Sequence, residues 1–242
     1  MNMVLLKCNF ILLLLFHIVI KAQECNTADT IFQNGDTLIK KLKCYENGQK
    51  KYLFSFKNGN LHGANKSWHS NGKLCNIQYY FEGNEDGVHN GWDTTGFLTV
   101  IKKYSNGKPI GKHEHYYGKN KPKEFTNYND SGQKHGLCES WREDGTRKDS
   151  IVYHNGSIKE IRAYYQNGKP RYWVKNINIY NSKKIEASYY DTTGKICGRI
   201  RDGNGTYILF SDDAKERWIE TYKNGEEVAS RKLKPDENPD WK

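Results

Sequence analysis

His89 and His113 each lie two residues beyond a recurring glycine, Gly87 and Gly111, and His115 follows two residues after His113. Residues two apart on a strand project to the same face. An extended chain would therefore set these imidazoles in one row, with Asn65 and Cys138 in the equivalent slot of flanking segments. Imidazole nitrogens and thiolates are transition-metal ligands when they converge. The alternative is an exposed polar ladder copied along with the segment that carries it. Simple alternation places the row on the face opposite Trp68, Trp92 and Trp141.

Other combinations point less far. His135 and Cys138 have the residue types of a base and a nucleophile, but on a strand they project to opposite faces. His62 and His135 precede glycines in matching positions and read as parts of a motif. The acidic pairs Glu85-Asp86 and Asp212-Asp213 sit beside turns without the ligand spacing of a calcium loop. The chain has no Gly-x-Ser-x-Gly, no His-Glu-x-x-His and no phosphate loop. The residues argue against an enzyme and assign no catalytic, metal-binding or cofactor-binding residue. His89, His113 and His115 remain as a candidate binding ladder.

The elements that must position these residues are repeats. Gly59, Gly83, Gly107 and Gly132 lead segments of about 24 residues. A second glycine follows in each (Gly63, Gly87, Gly111, Gly136), then an aromatic (Trp68, Trp92, Tyr116, Trp141). Gly72, Gly96 and Gly145 close the pattern, with Asn120 in the remaining slot. Gly35 and Gly48 stand in the same relation upstream. Downstream, Gly156 with Tyr165, Tyr190 with Gly194, and Gly205 as a leading glycine continue it in frayed form. About eight units span residues 28–228, the last three degenerate as capping repeats often are.

Each unit carries two glycine-marked turns flanking runs of strand length. Asn-Gly recurs at Gly48, Gly59, Gly107, Gly156, Gly168 and Gly225, and is the strongest short hairpin signal because type I′ turns need positive φ at both residues. The runs between are rich in Tyr, Trp, Ile, Val and Thr. Glycine or proline interrupts nearly every helix-length window. The expected fold is all-β: tandem β-hairpins forming an elongated, twisted antiparallel sheet. Composition agrees, at 36% hydrophobic with a mean hydropathy of −0.91. That is too polar for a thick core, while 17 Tyr and 6 Trp can fill a thin one.

The segments Gly59-Asn-Leu-His-Gly63-Ala-Asn-Lys-Ser-Trp68-His-Ser-Asn-Gly72-Lys73 and Gly132-Gln-Lys-His-Gly136-Leu-Cys-Glu-Ser-Trp141 resemble the MORN repeat, in the variant form of bacterial secreted and surface proteins. The resemblance covers most of the chain. It implies a protein-interaction platform or dimerisation surface, and some similar bacterial proteins are described as antitoxins, neutralisers of a partner protein.

Lys7 followed by an apolar run from Phe10 to Ile20 and by Ala22 reads as a secretory signal over residues 1–22. Residues 23–34 then form an N-terminal cap segment, 35–228 the repeat array and 229–242 a flexible tail. The destination is the periplasm, the cell surface or the medium. Five cysteines remain after the signal, at least one of them unpaired, and Cys25 with Cys44 is the candidate disulfide. The formal charge of +10 is spread along the chain, with no basic run longer than two residues. An export signal speaks against nucleic acid. The expected role is a secreted, non-enzymatic scaffold that binds another protein or a second copy of itself, with an envelope glycan or an anionic surface as the alternative partner.

Overall fold

The computed structural model describes residues 25, 27–33, 35–175, 185–211 and 215–237. The expected signal over residues 1–22 and the Asp212-Asp213 pair lie outside the described residues. Every regular element among the described residues is a β-strand, and the chain divides into two compact units, residues 1–109 and 110–242.

The N-terminal unit holds β1 (Ala28–Gln33), β2 (Asp36–Cys44), β3 (Lys50–Lys57), β4 (Asn60–Leu61), β5 (Gly63–Trp68), β6 (Leu74–Phe81), β7 (Asn84–Glu85), β8 (Gly87–Trp92), β9 (Leu98–Ser105) and β10 (Lys108–Pro109). They pair antiparallel as a meander of hairpins. The array begins before residue 35, because β1 pairs with β2 throughout its length. A Cys25–Cys44 disulfide ties the entry of this hairpin, while Cys75, Cys138 and Cys197 are free.

Two turn types alternate. Asn58-Gly59, Glu82-Gly83 and Asn106-Gly107 have positive φ at both residues, as the expected I′ turns require. The Asn47-Gly48 turn differs: only Gly48 has positive φ, and its N–H bonds the Tyr45 carbonyl at 2.9 Å. One extra residue in the connection favours a type I turn closed by a left-handed glycine and a bulge. The Asn47 side chain then accepts the Gln49 N–H at 3.1 Å. Asn167-Gly168 repeats this arrangement in the other unit, so two of the expected I′ turns are corrected.

The C-terminal unit holds β11 (Gly111–Gly118), β12 (Lys121–Tyr128), β13 (Gly136–Trp141), β14 (Arg147–His154), β15 (Ser157–Tyr164), β16 (Pro170–Lys175), β17 (Glu186–Tyr190), β18 (Ile196–Arg201), β19 (Asn204–Phe210), β20 (Arg217–Lys223) and β21 (Glu226–Lys232), each antiparallel to the next. The boundary expected at residue 228 falls inside β21. Residues 233–237 beyond it are anchored: Leu233 is buried, and the Arg217 guanidinium donates to the carbonyls of Lys234, Pro235 and Glu237.

The degenerate repeats hold the apolar core. Ala187, Tyr189, Cys197, Ile200, Tyr207, Ile208 and Leu233 are buried together, and the rings of Tyr189 and Tyr207 stack with centroids 3.4 Å apart. Two glycines allow that approach. A Cβ on Gly198 would lie 2.2 Å from the Tyr207 Cα, and one on Gly205 would lie 2.0 Å from the Arg199 carbonyl oxygen. Gly205 is therefore not the leading turn glycine; Asp202-Gly203 makes the turn, with positive φ at both residues.

Candidate interaction surface

The row read as a binding ladder is interior. Asn65, His89, His113 and Cys138 are all buried. In the N-terminal unit the His89 ring lies between Tyr80 and Tyr104, with centroids 5.8 and 4.8 Å away. In the C-terminal unit His113 packs on Tyr128 at 4.7 Å, and His115 shares its face, opposite Glu124. Among the described residues, no group of three or more His, Cys, Asp or Glu is arranged to hold a metal ion.

The reason these residues are polar lies in the backbone. The second glycine of each repeat has positive φ (Gly63, Gly87, Gly111, Gly136), and at Gly63 the ladder between β3 and its partners is interrupted. A buried backbone group left there without a partner would cost about 1–3 kcal/mol. The side chain two residues on supplies one. Asn65 Oδ1 accepts the Ser55 N–H at 2.7 Å. Cys138 Sγ accepts the Asn127 N–H at 3.4 Å in the same way, while His89 Nε2–H adds a bond at 2.8 Å to the Tyr79 carbonyl, which also accepts the Asp86 N–H at 2.9 Å. Asn65 and Cys138 thus repair the bulge that the glycine makes.

The remaining candidates are also bound into the fold. Glu85 approaches His89 Nδ1 at 3.5 Å, whereas Asp86 accepts the Asn106 N–H of the next I′ turn at 2.9 Å. His135 Nδ1 faces Asn155, also at an I′ turn, and the His62 ring packs on Phe81. Burial pushes the Cys138 thiol up and disfavours a thiolate.

A second row went unread in the sequence. In several repeats the residue after the motif-aromatic slot reaches the next repeat: Tyr45 Oη–H, after Cys44, donates to the Trp68 carbonyl and His69 Nε2–H to that of Trp92, both at 2.8 Å, whereas Asp93 after Trp92 caps its own turn. In the C-terminal unit Tyr117 donates to the Trp141 carbonyl, Arg142 to that of Tyr164 and Tyr165 to that of Tyr190. Tyr165 thus belongs to this linking row, and Tyr164, at the bulge opposite Pro170, is the motif aromatic of its repeat. The signal was present one residue downstream of Trp68, Tyr116, Trp141 and Tyr164, where His, Tyr and Arg supply donors of long reach.

The opposite face of the C-terminal unit is different in kind. Strand-to-strand register carries Glu114, Phe125, Glu139, Ser150, Arg162, Trp173, Ser188 and Arg199 in one line across it. Cations lie on its rings: Lys112 over Phe125 at 3.7 Å, Arg162 over Trp173 at 4.6 Å and Lys175 over Trp173 at 3.7 Å. Carboxylates hold several of these cations, with Lys112–Glu114 at 3.3 Å and Arg162–Glu160 at 2.7 Å. Trp141 meets Phe125 edge-on at 4.8 Å.

Toward β18 the pairing stops. Trp173, Lys175, Glu186, Ser188, Arg199 and Arg201 line an open cleft of about 430 Å³. No ion pair engages Lys175, Arg199 or Arg201 among the described residues. The surface thus combines rings, cations and a cleft. No protein-family model matches the chain, and no curated protein matches it in sequence.

Proposed function

We propose that this chain is a secreted, non-enzymatic, MORN-like repeat protein that serves as an interaction scaffold, recognising another protein through the aromatic and cationic face of residues 110–242. The observation that carries the reading is the line from Phe125 through Trp173 to Arg199, in which two rings and the cations Arg162 and Arg199 stand with Glu139, Ser150 and Ser188 on the face opposite the packed tyrosines. Aromatic rings with arginines are the residue types that dominate binding energy at protein interfaces. Repetition adds many modest contacts whose combined strength exceeds each one. The row of His89, His113 and His115 does not enter this surface, because it lies on the other face, with His89 and His113 buried.

The test is affinity capture from the envelope and medium of the source organism, with the exported chain as bait. One protein retained at moderate salt, and lost when Phe125 and Trp173 are both replaced by Ser, supports the reading. Retention of only polysaccharide or lipid that salt removes would favour the anionic-surface reading, which the unpaired Arg199 and Arg201 support.

A further inference from the structure

The cleft between β16 and β18 has the dimensions and charges of a peptide groove. Trp173 and Lys175 form one wall on β16; Arg199 and Arg201 form the other on β18. Between them runs β17, whose Ser188 is directly opposite both Trp173 and Arg199 and, being small, leaves a low floor. Two inter-strand steps separate the walls, roughly 10 Å, about the width of one extended chain lying parallel to the strands.

The charges are also ordered along that direction. Arg199 and Arg201 are two residues apart on one strand, so their guanidinium groups leave the same face about 7 Å apart. Alternate side chains of an extended peptide repeat at the same distance. A guanidinium presents a planar fork that matches a carboxylate, and neither arginine is spent on an ion pair among the described residues. Glu186, across from Lys175 in the register, and Asp202 set two carboxylates against Lys175, Arg199 and Arg201, so the groove keeps a net cationic sign.

We propose that this groove binds an extended acidic segment of a partner protein, with Asp or Glu at alternate positions set against Arg199 and Arg201. The inference rests on the scaffold reading and names the chemistry of its partner. Peptide is preferred over acidic glycan because the match is to the strand repeat itself.

The probe is a short peptide alternating Glu and Thr, compared with an isomer of the same composition whose Glu residues form one block. Binding to the exported chain is measured by fluorescence anisotropy at moderate salt. The alternating peptide should bind about tenfold or more tighter than its isomer, and Arg199→Gln with Arg201→Gln should abolish that difference. Both arginines are on the surface, so the variant's thermal melt should overlay the parent's. Lys175→Gln, a second change that leaves the arginines in place, should weaken both peptides alike. Equal binding of the isomers, or a preference that survives the double arginine change, would overturn the proposal. Tighter binding of polygalacturonate, with the same arginine dependence, would replace the peptide with an acidic glycan. If the double variant still captures the same partner from the envelope, this inference fails while the scaffold reading stands; if the parent captures none, the scaffold reading fails.

Discussion

Residues 1–109 keep the glycine spacing almost without error, yet among the described residues the side chains they bury are Asn65 and His89. Residues 110–242 lose the spacing after Gly156, yet hold all the buried apolar side chains among the described residues. The two units solve one problem in different ways. Where the motif is intact, positive-φ glycines make regular bulges, and a polar side chain in the next slot satisfies the backbone they expose. Where the motif decays, rings and aliphatic groups fill the interior, and glycine is retained for close approach at Gly198 and Gly205. Fidelity to a repeat is therefore a poor guide to how firmly a repeat is packed.

The sharpest way to break this contrast is at Gly198. Gly198→Ala puts a Cβ into the Tyr207 backbone and should destabilise the C-terminal unit by at least about 3 kcal/mol, read by urea denaturation. Ile200→Ala in the same core should cost about 3 kcal/mol by lost burial and a cavity. Asn65→Ala, by contrast, removes little apolar area but leaves the Ser55 N–H without its acceptor. It should cost about 1–3 kcal/mol, confined to the N-terminal unit, and proteolysis should find the new opening near β3.

A gentler probe is alkaline pH. Burial pushes the Tyr189 phenol up to about 12, and burial with the bond it donates to Glu220 pushes that of Tyr207 up as well. Both groups are held neutral by the fold, so their contribution is complete below the ordinary tyrosine pKa near 10 and is lost as pH rises from there through about 12. Melting temperatures measured between pH 8 and pH 11 should be flat at first and then fall. The fall should be smaller in a Tyr189→Phe variant.

Much of this fold was legible. The period, the all-β class, the hairpins and the Cys25–Cys44 disulfide follow from glycine spacing, Asn-Gly turns and cysteine position. What could not be read was which face is inside. A single sheet offers two faces of similar composition, and the row of Asn65, His89 and His113 looked exposed because it is polar. Its burial depends on bulge hydrogen bonds at Ser55 and Tyr79, which spacing alone does not reveal. Tyr165 was misplaced for a related reason. A register shift in the β14–β15 hairpin moves its repeat by one residue, and a fixed period cannot register that. The cleft at Arg199 and Arg201 lies in frayed repeats, where no motif directed attention to it.

The central claim is that the irregular repeats, not the regular ones, form the stable part of the molecule. Hydrogen exchange on the intact chain, resolved over β18–β19 and over β5–β8, tests it directly. Residues 196–210 should exchange by the slowest, most global opening, while residues 63–92 open at lower free energy. Equal or slower exchange over residues 63–92 would contradict the account and return the weight of stability to the repeated glycine motif.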